Sequence, residues 1–220
     1  MRKAGVPEAG PAATAGIVTR RLGLRAYAST WEAMREFTDS RTGSTPDELW
    51  LLQHPPVFTL GQAGRREHIL NPGETPVVQT DRGGQVTWHG PGQIVAYALI
   101  DLHRRGLGVR RMVSALEEGV TRLLADYGIS AHTRPDAPGV YVTRRKVAAL
   151  GLRVRRGRSY HGLALNIDNE LEPFTRINPC GHAGLETTRL RDLGVDTPLD
   201  RLEDELAAHL RRALGENEPY

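Results

Sequence analysis

Between Glu48 and Ile167 the apolar residues fall in short extended runs, and only one stretch in that span repeats at three and four residues. The runs Glu48 to His54, Val57 to Gly61, Val77 to Gln79, Gln85 to Trp88, Ile94 to Ile100, Val140 to Val142, Lys146 to Val154 and Tyr160 to Ile167 read as strands. Pro55-Pro56 separates the first two, and Arg155-Arg156-Gly157-Arg158 reads as the turn between the last two. The β-branched run at 94–100 has the character of a buried central strand. The helical repeat is Val109, Met112, Val113, Leu116, Val120, Leu123, Leu124 and Tyr127, closed by Gly128. A second helix is expected over roughly residues 24–40, where Tyr27, Trp31, Met34 and Phe37 recur at helical spacing, followed by a loop at 40–47. A third is expected to start at Thr197-Pro198-Leu199-Asp200, with Thr197 as side-chain cap, Pro198 at the first position and an acid in the first turn. Leu199, Leu202, Leu206 and Leu210 give it an apolar stripe, and Gly215 ends it. This order lacks the strict βαβ alternation of a parallel sheet. It predicts an α+β single domain with a mixed β-sheet and flanking helices.

The 220 residues suffice for one domain with a full core. Residues 1–16 read as a flexible leader: Arg2 and Lys3 are followed by no continuous apolar stretch, because Pro7, Gly10 and Pro11 interrupt it. The catalytic unit is then expected over 17–215. No apolar run is long enough to span a bilayer, so no membrane association is expected. A single cysteine, Cys180, leaves no partner for an intramolecular disulfide and points to a reducing compartment, hence the cytoplasm.

One cysteine is also too few for a thiolate-rich zinc site, and no metal is expected. Cys180 is then either a small buried hydrophobe or a nucleophile. Pro179 before it and Gly181 after it are turn formers that favour an accessible loop, and so the nucleophile. Lys146 is the other unusual residue. The chain holds 27 arginines and two lysines, Lys3 and Lys146. Lys146 is either an ordinary exposed strand residue or one retained for a proton transfer that guanidinium cannot perform. A nearby ammonium would lower a thiol pKa from about 8.5 by stabilising the thiolate. The segment from Asp81 to Gln93 is the richest in glycine, with Gly83, Gly84, Gly90 and Gly92. It matches neither a P-loop nor a dinucleotide fingerprint, and reads as two hairpin turns or as a ligand loop carrying His89. Gly162 and Ala164 leave room on a strand surface, for close packing or for an extended ligand.

Arginines cluster at 104, 105, 110 and 111, and again at 144, 145, 153, 155, 156 and 158. The net charge is only +3, so these are a solvated surface or a docking face for an acidic protein. Nucleic acid ranks last, because no aromatic interleaving accompanies the charge.

Five segments taken together carry a resemblance: Arg82 to Gln93, Ala137 to Val142, Lys146 to Gly151, Tyr160 to Asn166 and Ile177 to Gly181. In this order, from about residue 20 to 195, the chain resembles the octanoyltransferases of lipoate biosynthesis. The resemblance implies a fold similar to biotin and lipoate protein ligases. It implies an octanoyl-acyl carrier protein donor, a thioester on Cys180, and transfer to the lysine of lipoyl domains, those of dehydrogenase-complex E2 subunits and of the glycine cleavage H protein. Lys146 would lower the thiol pKa. Arg82, Gly83, Gly84, Gln85, Val86, Thr87, Trp88 and His89 would contact substrate, as would Ala149, Leu150, Gly151, Gly162, Leu163 and Ala164. An activated thioester needs neither ATP nor another cofactor. Burying the acyl methylenes at about 0.8 kcal/mol each would supply about 5 kcal/mol of binding. The competing readings are an ATP-dependent lipoate or biotin ligase on the same fold, although the Gly-Arg-Gly-Arg loop of biotin ligases is absent, and a non-catalytic arginine-rich binding module.

Overall fold

A computed structural model describes residues 16–178 and 184–216. Residues 1–15 of the expected leader and Cys180 itself lie outside the described residues. The strands are β1 (Ile17–Leu24), β2 (Asp47–Gln53), β3 (Val57–Leu60), β4 (Val77–Gln79), β5 (Val86–His89), β6 (Gln93–Leu99), β7 (His132–Thr133), β8 (Gly139–Val142), β9 (Arg145–Arg155) and β10 (Arg158–Asn166). The helices are α1 (Tyr27–Ser40), α2 (Val109–Asp126) and α3 (Leu199–Ala213). A seven-stranded sheet runs β1-β2-β6-β10-β9-β8-β7, and a three-stranded sheet runs β4-β3-β5. Both are mixed: β1/β2 and β3/β4 are parallel, and the other pairs are antiparallel.

Strand alternation sorts the large sheet's side chains to two faces. Leu49, Leu51, Ile94, Ala96, Leu163 and Leu165 join α2 and α3 in one core, while Trp50, Leu52, Val95, Tyr97 and Ala164 join Met34 of α1 in another. β6 is buried along its whole length, as its β-branched run predicts. A smaller third core lies under the small sheet, where Phe58, Leu60, Val86 and Trp88 meet Phe174 and Ile177. The turn between β9 and β10 places Arg156 and Gly157 at φ 50° and 73°, the mirror-image geometry that suits tight hairpins. Among the described residues, no helix is long and apolar enough to cross a membrane.

Three expectations are corrected, and one strand carried no sequence signal. β1 was not legible, because it is an exposed edge strand with only Ile17 buried and so carries little alternation. The first helix accordingly starts at Tyr27, after Leu24 has closed that strand. α3 has no side-chain cap: Pro198 occupies the cap position, one residue later than Thr197. Arg104 and Arg105 are not free surface charge. With Arg41 they converge on the buried Asp47 carboxylate at 2.5–2.6 Å, and the Arg41 and Arg105 side chains are 0% and 2% exposed.

Candidate active site

The long strand β9 organises the site. β8 pairs with its first half only, from Arg145 to Ala149, so the edge beyond is open to another segment. The glycine-rich loop fills it: the Gly83 N–H donates to Leu152 O at 2.8 Å. A Cβ on Gly151 would sit 2.7 Å from Gly83 O, so only glycine lets the two backbones approach this closely. Between β9, β10, the glycine loop and the first turns of α2 lies a cavity of about 280 Å³. That is just below the ~300–1,000 Å³ of pockets for drug-sized ligands, a size suited to one slender chain.

Its walls include Val86, Val95, Val109, Val113, Ala149, Leu150, Gly151, Gly162, Leu163 and Ala164. Arg82, Gly83, Gly84, Gln85, Thr87 and His89 also line it. Trp88 does not. Its side chain is buried in the small-sheet core and packs edge-on against Phe174, with ring centroids 5.7 Å apart. The Arg82 guanidinium is buried, donating to Thr59 O at 2.6 Å, to Thr59 Oγ1 and to Gly83 O.

Lys146 also lines the cavity and is 5% exposed, which removes the reading of an ordinary surface lysine. Its Nζ donates to Pro138 O at 3.2 Å and lies 5.2 Å from the Tyr141 ring centroid. Its backbone pairs with a segment that carried no sequence signal: Lys146 N–H donates to Glu186 O, and Thr188 N–H to Lys146 O, both at 2.9 Å. On the other side of the undescribed stretch, Asn178 N–H donates to His68 O at 2.8 Å. The chain flanking Cys180 is thus anchored both to the small-sheet side and to the lysine's own strand.

The polar end of the cavity carries a linked set of imidazoles and phenols. His89 is not a loop residue. It ends β5, is 6% exposed, and its Nδ1–H donates to Gln93 Oε1 at 2.7 Å. His54 Nδ1–H donates to Arg25 O at 2.6 Å, so the Tyr97 hydroxyl donates to His54 Nε2 at 2.7 Å. His161, in β10 with φ 61°, turns its Nε2–H to Asp81 Oδ1 at 2.9 Å. Asp81 also accepts from Trp31 Nε1 and the Tyr160 hydroxyl. Burial opposes the Asp81 charge, but these donors hold its carboxyl well below the usual range.

Burial lowers the His54 pKa to about 4, and burial followed by the His54 charge lowers His89 to about 3. Both rings stay neutral when folded, whereas an unfolded histidine protonates near pH 6.5. The unfolded state therefore binds more protons below that pH, and stability falls from about pH 6.5 down to about 4 for His54 and 3 for His89. Ring-proton NMR should show neither His54 nor His89 titrating between pH 5 and 8. A midpoint above 6 for either would contradict this neutral, buried pair. Among the described residues no cluster of histidine, cysteine and carboxylates is arranged to hold a metal.

Residues 26–211 match the catalytic-domain model of lipoyl protein ligases A and B, which defines the class of this fold and cavity. The chain is 66% identical over 206 residues to the octanoyltransferase of Alkalilimnicola ehrlichii, covering 94% of this chain and 96% of the relative. It is 67% identical over 204 residues to that of Halorhodospira halophila, covering 93% and 94%. The chain belongs to the octanoyltransferase family and is an acyltransferase. By fold alone it is similar to the bipartite lipoate protein ligase of Thermoplasma acidophilum, with TM-score 0.72 and 14% identity over 90% of this chain and 84% of that one. The biotin protein ligase of Aquifex aeolicus shares the fold at TM-score 0.53 and 10% identity, over 92% and 69%. These likenesses agree with the α+β single-domain reading.

Proposed function

We propose that this enzyme takes an octanoyl group from octanoyl-acyl carrier protein, holds it as a thioester on Cys180, and passes it to the lysine amine of a lipoyl domain. The observation that supports this most is a buried lysine, Lys146, among the residues lining an otherwise largely apolar cavity. The Cys180 thiolate attacks the donor's thioester carbonyl. A new carbon–sulfur bond forms, the bond to the carrier breaks, and the carrier thiol leaves with the proton that Cys180 gave up. The acceptor amine then attacks the acyl-cysteine. An amide forms, Cys180 departs as leaving group, and Lys146 passes the amine's proton back to the sulfur.

The acyl chain lies against Ala149 to Gly151 and Gly162 to Ala164, under the cover of Arg82 to Thr87. His89 closes the polar end, and Trp88 supports that wall from behind. No ATP or metal enters, because the donor thioester is already activated. The acceptors are lipoyl domains of dehydrogenase-complex E2 subunits and the glycine cleavage H protein; the T. acidophilum ligase of similar fold belongs to a lipoylation system described with its E2 lipoyl domain. Residues 17–215 form the catalytic unit, residues 1–16 a leader, and the enzyme works in the cytoplasm.

Incubation with octanoyl-acyl carrier protein, followed by intact-mass measurement, is expected to show one added octanoyl group, released on adding a lipoyl domain. The Cys180→Ser variant should acquire no such adduct and should lose transfer. Parent-level transfer by that variant would rule out the thioester. Transfer from free octanoate only when ATP is present would favour a ligase instead.

A further inference from the structure

A single peptide group connects Lys146 to a carboxylate that the reaction scheme above leaves unused. The Pro138 carbonyl accepts the Lys146 Nζ hydrogen bond at 3.2 Å. The N–H of that same amide, on Gly139, donates to Glu117 Oε1 at 3.0 Å. Glu117 sits on α2, which packs against α3 and β8 and buries Leu116, Val120 and Leu123 in the main core. Gly139 has φ 147°, and a Cβ there would lie 2.7 Å from the backbone Ala148 O, 3.0 Å from Lys146 Cε and 3.2 Å from Nζ. The missing side chain lets the two strands approach here and leaves room for the amine beside this peptide.

We infer that Glu117 is a positioning residue for Lys146, acting through the Pro138–Gly139 peptide group. The inference rests on the catalytic role proposed for the lysine. A carboxylate on the amide N–H polarises the group and strengthens its carbonyl as an acceptor, because hydrogen bonds in series reinforce one another. It also fixes the orientation of the peptide plane, and with it the direction from which the ammonium is held. Lys146 is long and flexible, so without that anchor its amine would sample positions away from the thiol. Burial pushes the Glu117 carboxyl up, while the Gly139 N–H and the Lys146 charge oppose the shift. The neighbouring Glu118 pairs instead with Arg111 and Arg122, which makes it a matched control on the same helix.

The test compares the parent with Glu117→Ala, Glu117→Gln and Glu118→Ala, each with and without Lys146→Ala. It reads steady-state transfer from octanoyl-acyl carrier protein and the rate of Cys180 alkylation by iodoacetamide at pH 7. Glu117→Ala is expected to lower kcat about tenfold, the scale of a displaced catalytic group, with the donor KM within about twofold. Alkylation should slow several-fold in step. Glu117→Gln keeps an oxygen acceptor for the Gly139 N–H and should retain about a third of kcat, even if the alanine variant folds poorly. Glu118→Ala should match the parent. In the Lys146→Ala background neither Glu117 substitution should slow alkylation further, because the effect runs through the lysine.

A kcat for Glu117→Ala within twofold of the parent would overturn the inference, provided Lys146→Ala is itself impaired. So would a slowing of alkylation by Glu117→Gln that is equally large without the lysine. A fully active Lys146→Ala protein is a different result: it would remove the lysine's catalytic role, and this inference with it.

Discussion

Lys146→Arg should lower octanoyl transfer by about a hundredfold or more, the usual contribution of a positioned proton-transfer group. The substitution keeps the positive charge, so a role limited to the electrostatic field would survive it. Proton transfer would not, because guanidinium stays protonated at every pH the enzyme meets. The geometry adds a steric reason. The amine rests against Gly139 and near the Tyr141 ring in a site where the residue is only 5% exposed, and a planar fork is wider than an ammonium. Single-turnover transfer from octanoyl-acyl carrier protein, with a thermal melt to verify folding, measures the effect. A rate near that of the parent would mean the lysine supplies only a field.

Asp47→Ala is expected to produce the largest loss of stability, about 3–5 kcal/mol, as for other buried charge pairs deprived of one partner. Asp47 is 1% exposed, accepts the Asp101 N–H at 2.8 Å, and faces Arg41, Arg104 and Arg105. Its removal takes the carboxylate away from two guanidinium groups that are themselves buried. Since domains are stable by only about 5–15 kcal/mol, the midpoint of a thermal melt should fall by about 10 °C. Burial alone would raise the Asp47 pKa, but the Asp101 N–H and the Arg105 and Arg41 bonds outweigh it and hold the carboxyl below its ordinary value. Its contribution is thus fully present above the unfolded value of about 3.9 and is lost as pH falls through the lower folded one. The deficit of the variant should narrow below pH 4. A loss under 1 kcal/mol at pH 7 would show that the arginines find water or other acceptors.

The same cluster marks where reading the sequence stopped short. Arg104 and Arg105 stand in an arginine-rich stretch that looks like surface charge, because a buried partner 57 and 58 residues away leaves no local trace. His89 was expected on a loop because glycines flank it, yet it closes a strand of a small sheet whose existence depends on β3 pairing with both β4 and β5. Glu186 and Thr188 showed no pattern either. Their role is carried by backbone bonds to Lys146, and backbone groups are the same in every residue.

Along the chain itself, periodicity was enough to mark the strongest helix, the central strand and the hairpin of β9 and β10, since these depend on residues near one another in sequence. Residue type was also enough to single out Lys146, because its scarcity is a property of composition. The cavity, the burial of that lysine, the peptide that holds it and the carboxylate behind that peptide were decided only by the tertiary structure. Each of these joins segments that only the folded sheet brings together along one edge of β9, where β8 pairs Gly139 with Ala149 and the glycine loop bonds Gly83 to Leu152 beyond it.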